Sequence, residues 1–600
     1  MNYTLTYALP IAVGVFLLLF FLQLPDLRRC RLPQPATAPL SENERRDWRT
    51  HLPILLITLI YAVTAFYRLG DATAPQTFVP MAGQSAVWTL PDGVYPTRIM
   101  LYSGVGHGEY TVFFSEDGQT WDTAGSFSQG HVEVLKWNTL DPAGSFRPRY
   151  VALTGSSGEP WLGEAVLLDG DGAPIPASCS IPALADEADT MPLRQTFLNS
   201  SYFDEIYHAR TAWEHLHGLW PYEISHPPLG KEILSLGILM FGMTPFGWRF
   251  MGTLFGVLML PLMYVLLRKL FGGRAVPCLG TVVFAADFMH YAQTRIATID
   301  TYSVFFILLM YLFLFLWLRE RKLRDLALCG LSFGLGAAAK WTSLYAGAGL
   351  GVLWLAHWIE QALEGSRQKG RRRDPKRFWL PFLKNSAFCV VFFILIPGLI
   401  YYLSYLPYGQ AEGAPLFSSR YTRIVLDNQS YMFNYHSSVN ATHPYSSRWY
   451  QWLLDIRPIL YYLDYGPGNT KTSLIAFLSP VLCWGGLLSL FVLLYAALFR
   501  RDRTAAFLLV GYLAQLLPWV FISRLTFAYH YFPSSVFLVL SLGYVFALLR
   551  DNQKNWRLWT LAFACLSVAV FALFFSTLNG LPVDITRSSH WLRWLPTWPL

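Results

Sequence analysis

Stretches of about twenty apolar residues recur along this chain, and no other feature constrains its fold so tightly. A helix needs roughly 17–25 such residues to cross a bilayer. Only helices and closed barrels satisfy their own backbone polar groups there. Reading by length places about twelve spans, near 3–24, 51–69, 248–267, 273–289, 301–318, 326–339, 342–358, 380–403, 473–499, 504–521, 533–549 and 558–577. Composition agrees. Of 600 residues, 54% are apolar and 14% charged, against roughly 25% charged in soluble domains. The net charge of +8 is gathered in clusters between spans, which suits a membrane surface and argues against nucleic acid. Cysteines 30, 179, 278, 329, 389, 483 and 565 are scattered. Without a CxxC pair they indicate neither a zinc site nor a disulfide framework. The first span has no basic leader and no small-residue cleavage site after it, so it reads as retained.

Lysine and arginine set orientation. The clusters "RRCR" with "ERRDWR", "RKLFGGR", "RERKLR", "RQKGRRRDPKR", "RRDR" and "RDNQKNWR" all fall on one side of this span order. That side is expected to be the cytoplasm. The opposite side then holds 70–247, the 290–300 turn, 404–472, 522–532 and the C-terminal tail.

Residues 71–195 differ. Short alternating runs such as "SAVWTL", "EYTVFFSEDGQTW" and "RPRYVALTG" are separated by "PDG", "EDG" and "DGDG", the pattern of a β-sandwich. "YTVFFSEDGQTW" followed by "RYVAL" resembles the hairpin of discoidin-like jelly-roll sandwiches. That resemblance implies a sugar or lipid ligand at the loops, and Tyr110 and Trp121 are expected in the core.

The ionisable residues concentrate after this region. "SYFDEIYHARTAWEHLHGLWPYEISHPPLGKEI" carries adjacent Asp204 and Glu205, whose side chains point to different faces of any regular element. One suits a base, its neighbour a structural or electrostatic partner. Glu214, His215, His217 and Glu223 read as the solvated face of an interfacial helix. In "HPPLGK" two prolines fix φ and remove two amide donors, giving a rigid turn that holds His226 and Lys231 at set positions. "TRIATID" places Arg295 and Asp300 at membrane depth or its edge, where charge is costly and usually functional. Lys340 in "AAAKWTSLY", and Arg524 with His530 in "SRLTFAYHYFP", raise the same expectation. The 404–472 stretch is rich in aromatics and histidine. Its His443, Tyr445 and Trp449 are candidate acceptor or sugar contacts, most of its other aromatics an interfacial belt. Asn440 begins an N-x-S/T sequon.

Taken in order, "FDEIYHA", "HPPLGK", "TRIATIDTYSVFF", "GAAAKWTSLY", "ATHPYSSRWYQWLLDIRPILYY" and "SRLTFAYHYFP" resemble the bacterial branch of the protein O-mannosyltransferases, polyprenyl-phosphate-sugar-dependent enzymes of the GT-C superfamily. The resemblance covers about 197–577. It implies a polytopic α-helical membrane protein of GT-C type, with about twelve transmembrane helices and an added external all-β discoidin-like sandwich. The expected parts are two helices and a basic cytoplasmic loop in 1–70, the sandwich in 71–195, a catalytic loop in 196–247, and the GT-C domain in 248–600 with its loop at 404–472. The family's acidic pair falls on Asp204, as general base on the acceptor hydroxyl, and Glu205. Arg295 would hold the donor phosphate with a second cation, Lys231, Lys340 or Arg524.

The implied reaction moves a sugar, mannose by resemblance, from polyprenyl phosphate to a Ser or Thr hydroxyl of a secreted or membrane protein, with inversion. The location is the outer face of a bacterial cytoplasmic membrane. No cofactor is required, because cationic side chains can stabilise a leaving phosphate. A divalent ion between Glu205 or Glu223 and a histidine lacks any ligand spacing. The same chemistry onto a wall polymer, glycan or glycolipid is the alternative. A lipid-linked-sugar transporter would show internal repeats and midplane helix breaks, and no repeat is evident.

Overall fold

The computed structural model describes residues 4–35, 51–144, 147–367, 376–438 and 441–600. "ERRDWR", most of "RQKGRRRDPKR" and the Asn440 sequon lie outside the described residues. The chain divides into two units, one of Met1–Tyr67, Ile224–Glu232 and Gly252–Leu600, the other of Arg68–Glu223 and Ile233–Met251.

Among the described residues the second unit contains nine strands: β1 (Val79–Pro80), β2 (Ser85–Thr89), β3 (Arg98–Ser103), β4 (Gly108–Ser115), β5 (Asp122–Gln129), β6 (Lys136–Leu140), β7 (Tyr150–Gly158), β8 (Trp161–Leu168) and β9 (Ser178–Cys179). They form antiparallel sheets ordered β1-β8-β3-β6 and β5-β4-β7-β2-β9. Trp88, Leu101, Tyr110, Val112, Leu153 and Leu162, drawn from both sheets, share one core. Period-two alternation is the cause. In β4, Tyr110, Val112 and Phe114 are buried, Thr111 and Phe113 between them are only partly so, and Glu109 just before them is exposed. Burying each such side chain contributes about 1.5–3 kcal/mol.

Trp121 departs from the core expectation, being 36% exposed. Asp117 Oδ1 accepts the N–H groups of Gln119 and Thr120, both at 2.8 Å. This Asx turn closes the β4–β5 hairpin, so Trp121 falls at its tip, one residue before β5. The same N–H groups hold the Asp117 carboxyl down at about 2.

Glu164 on β8 is fully buried. Its Oε2 accepts Glu187 N–H at 2.7 Å and its Oε1 accepts Ala165 N–H at 3.1 Å. Glu187 in turn accepts Gln76 N–H at 2.9 Å, so the entry and exit of the sandwich are tied together. Burial pushes the Glu164 carboxyl up from 4.5 to about 7. The folded state therefore retains a proton that the unfolded chain has lost, and this contribution to stability declines as pH rises from about 4.5 to 7. The expected fall in hydrogen-exchange protection of β8 over that window is up to about 3 kcal/mol. Glu164→Gln should flatten this profile; equal slopes in both proteins would contradict the assignment.

Seven helices among the described residues are long and apolar enough to cross a membrane: Pro245–Phe271, Asp300–Glu320, Phe378–Ala411, Pro480–Phe499, Arg503–Val520, Ala528–Asn552 and Trp556–Asn579. The pair Ala275–Ala285 and Phe288–Thr294, bent by 58°, makes an eighth if it is one span. The reading of about twelve also counted shorter helices, such as Leu52–Phe66 with 15 residues and Leu323–Ala339 with 17. The bend has a local cause. Asp287 caps the second helix, with Oδ2 accepting His290 N–H at 3.0 Å and Oδ1 accepting Ser479 N–H at 2.9 Å.

Every residue from Phe532 to Leu549 is buried, so this helix is apolar all round because it has neighbours all round. A side chain on Gly511 would lie 2.2 Å from the Phe537 ring. Such small residues let helices approach where no water drives them together. Strands β10 (Ile459–Gly466), β11 (Thr470–Ala476) and β12 (Val583–Asp584) form a small antiparallel sheet in the order β10-β11-β12.

Candidate active site

Each unit holds part of the ionisable set. In the second, Phe203 takes a left-handed φ of 50° and the helix Glu205–Leu216 begins just after it. Asp204 is the half-buried N-cap. Its main-chain oxygen accepts the N–H groups of Tyr207 and His208, both at 3.1 Å, but its carboxylate does not cap the helix.

Glu205 points elsewhere and is fully buried. It forms a two-pronged pair with Arg249, Nε to Oε1 and Nη2 to Oε2, each at 2.7 Å. Arg249 also donates to the carbonyls of Leu69 (2.9 Å), Phe197 (2.8 Å) and Ser200 (2.8 Å). A planar guanidinium suits this arrangement, since its donors lie in a fixed fork. Glu205 is thus a structural anchor behind the Asp204 turn, and Arg249, unmarked within an apolar run, is the residue the sequence reading missed.

The solvated-face reading of this helix is corrected. Glu214, His215 and Glu223 are buried, while His217 is exposed. Glu214 pairs with Arg210 at 2.7 Å and accepts Tyr222 N–H at 2.6 Å. The Arg210 guanidinium lies 3.9 Å from the Tyr222 ring centre, and Thr211 Oγ1 accepts Glu223 N–H at 2.9 Å. Burial pushes the Glu214 carboxyl up, against the pull of Arg210. His208 Nδ1 stands 4.0 Å from Glu223 Oε2. The described residues contain no group of three or more metal-ligating side chains.

In the first unit, the HPPLGK turn closes on itself. Buried Lys231 donates from Nζ to the His226 carbonyl at 3.0 Å, and His226 Nδ1 lies 3.1 Å from Ser225 Oγ. Gly230 permits a close approach: a Cβ there would lie 2.7 Å from Ile299 and 3.2 Å from the Ala339 carbonyl. The turn therefore packs against the residues preceding Asp300 and Lys340. Those two pair at 2.7 Å with both side chains buried.

The helix Ser419–Ser438, inside the aromatic stretch, braces this turn. Tyr421, Val425, Asn428 and Met432 form its buried face at helical spacing. Asn428 Nδ2 donates to the Ile224 carbonyl at 2.9 Å, and His436 Nε2 to the Ser225 carbonyl at 2.8 Å. The His226 and His436 rings meet edge-on with centres 5.2 Å apart. Burial, then the charges of His226, Arg524 and Lys340, push the His436 imidazole down to about 4. His436 is therefore neutral near pH 7, with its proton placed on Nε2 by the Ser225 carbonyl. His226 packs on it directly, and Arg524 and Lys340, from two other motifs, act on it by charge.

Other expected ligands also bond within the protein. Arg295 donates to the main-chain carbonyls of Ala65 (2.9 Å), Leu578 (3.1 Å) and Tyr67 (2.9 Å), so it ties helix ends together. His530 is buried among Trp452, Trp519 and Tyr529, with Nδ1 held by the Phe527 backbone. Of His443, Tyr445 and Trp449, only His443 lines the cleft formed by loops 441–451 and 523–526; Tyr450 lines it as well.

This architecture matches that of a solved protein O-mannosyltransferase. The S. cerevisiae protein O-mannosyltransferase Pmt1-Pmt2 complex bound to the sugar donor superposes with a TM-score of 0.57 at 13% identity, over 67% of this chain and 89% of that one. Residues 240–407 match the family described as dolichyl-phosphate-mannose-protein mannosyltransferase, and 422–598 match the C-terminal four-TMM region of protein-O-mannosyltransferase. Polyprenol-phosphate-mannose--protein mannosyltransferases are similar along 66% of this chain. The one from Mycobacterium tuberculosis is 26% identical over 86% of its own length, and that from Mycolicibacterium smegmatis 27% over 87%. The chain belongs to the protein O-mannosyltransferase family.

Proposed function

We propose that the chain transfers mannose from polyprenyl phosphate to Ser or Thr hydroxyls of a translocated protein, inverting the anomeric carbon. The packing of His226 from the HPPLGK turn on a neutral His436, on which Lys340 and Arg524 also act by charge, carries this reading, in a chain whose relatives are named for that reaction. The leaving group is a lipid phosphate, and preorganised cations stabilise the charge that develops on it. Asp204 takes the acceptor proton as the hydroxyl oxygen bonds to C1 and the C1–O bond to phosphate breaks. Glu205 and Arg249 position Asp204. Lys231 fixes the HPPLGK turn, and Asp300 orients Lys340. The chemistry asks for no metal.

The regions are read as 1–70 for the first two helices, 71–195 for a discoidin-like sandwich with a glycan as its implied ligand, 196–247 for the catalytic loop and 248–600 for the GT-C domain. With the shorter helices counted, about twelve helices span a bacterial cytoplasmic membrane, and the catalytic loops face outward. The test supplies the purified protein with labelled polyprenyl phosphate mannose and a panel of Ser/Thr peptides, wall polymers and glycolipids. Label in peptide hydroxyls supports the reading. Label confined to polymers or lipids moves the acceptor, and no transfer removes the enzyme assignment.

A further inference from the structure

Beside the cation cluster lies a cleft of about 560 Å³, lined by residues of 441–451 and 523–526, a size typical of ligand sites. Its floor is laced. Ser447 N–H donates to the Thr526 carbonyl at 2.8 Å, Thr526 Oγ1 to the Ser447 carbonyl at 2.6 Å, and Trp452 Nε1 to Ser447 Oγ at 2.9 Å. The two loops are thus held in register rather than lying loosely side by side.

The cleft's charge is one-sided. Arg448 and Arg524 line it, with His443, Gln451, Thr442 and Ser523, and no carboxylate does. Neither arginine has an ion-pair partner among the described residues. Burial pushes the His443 imidazole down, so the two guanidinium groups supply the positive charge. Their surroundings differ. Arg524 is half-buried and is one of the charges acting on His436, whereas Arg448 is exposed and is not among them. Arg524 therefore belongs to both the cation cluster and the cleft, and Arg448 to the cleft alone.

The volume is more than one phosphate needs, and the shared arginine sets the cleft next to where a departing phosphate would be held. An inverting displacement sets the acceptor hydroxyl on the face of C1 opposite that phosphate, one sugar ring away from it, so the chain carrying it passes close by. We propose that this cleft binds the acceptor polypeptide, and that Arg448 selects for an Asp or Glu side chain flanking the modified Ser or Thr. The inference rests on the transferase reading above and adds a sequence preference to it.

The test uses the full-length protein in proteoliposomes with saturating polyprenyl phosphate mannose and paired Thr peptides bearing Glu or Gln beside the acceptor. The expected KM is roughly two- to five-fold lower for the Glu peptide, the scale of one exposed charge pair. The gap should shrink as salt is raised and vanish in Arg448→Gln. Arg420→Gln, which alters an exposed arginine paired with Glu412, should keep it. Equal KM values for the two peptides in the unaltered protein overturn the proposal. So does an Arg448→Gln protein that keeps the peptide preference while its donor KM rises, since the cleft would then serve the lipid phosphate. Absence of transfer to every peptide overturns the transferase reading and this inference together.

Discussion

Asp204→Asn should lower kcat for mannose transfer by about 10²–10⁴-fold, the usual worth of a positioned general base, while donor affinity stays near its original value. Asparagine keeps the shape and loses the basic lone pair. The protein should still fold, because Asp204 is half-buried and its side chain makes no helix cap. Transfer rates and lipid-donor binding, measured on the same preparation, separate the two effects. A rate within ten-fold of the original would remove Asp204 as the base and leave the class of enzyme standing.

The second large effect concerns stability. Arg249→Met should destabilise the unit that carries the sandwich by about 3–5 kcal/mol, the cost of leaving a buried partner charge uncompensated. Glu205 would be stranded at zero exposure, and the carbonyls of Leu69, Phe197 and Ser200 would lose their donor. The double variant Glu205→Gln with Arg249→Met should recover part of the loss, because the stranded charge is gone although the carbonyls stay unsatisfied. Hydrogen exchange around 197–205 reads both changes. Additive losses in the two single variants would show that the pair is not coupled.

The membrane class and the motif order were legible because both are local: an apolar run declares itself, and HPPLGK is a contiguous turn. The self-closing bond from Lys231 to His226 spans only five residues. The Glu205–Arg249 pair spans 44 residues and joins a polar loop to an apolar helix, so no periodicity reports it. Glu214 and Glu223 looked solvated because their stretch is rich in polar residues, yet Arg210, Thr211 and the Tyr222 N–H satisfy the Glu214 carboxylate internally, and His208 stands 4.0 Å from that of Glu223. The family resemblance makes Arg295 a ligand of the donor phosphate. The structure gives its donors to main-chain carbonyls at helix ends, which sequence cannot foresee because the three partners lie in two distant segments. His436 went unremarked in an aromatic stretch, and only its packing on the HPPLGK turn makes it the centre of the cation cluster.

The central claim is a single in-line displacement on a lipid phosphate sugar by an acceptor hydroxyl. Its most direct measurement is the anomeric configuration, by NMR, of the mannosyl peptide formed from polyprenyl phosphate mannose of known configuration. One displacement predicts that the product has the opposite configuration to the donor. Retention of the donor configuration would require two displacements through an intermediate, and would contradict a mechanism in which Asp204 acts only as a base.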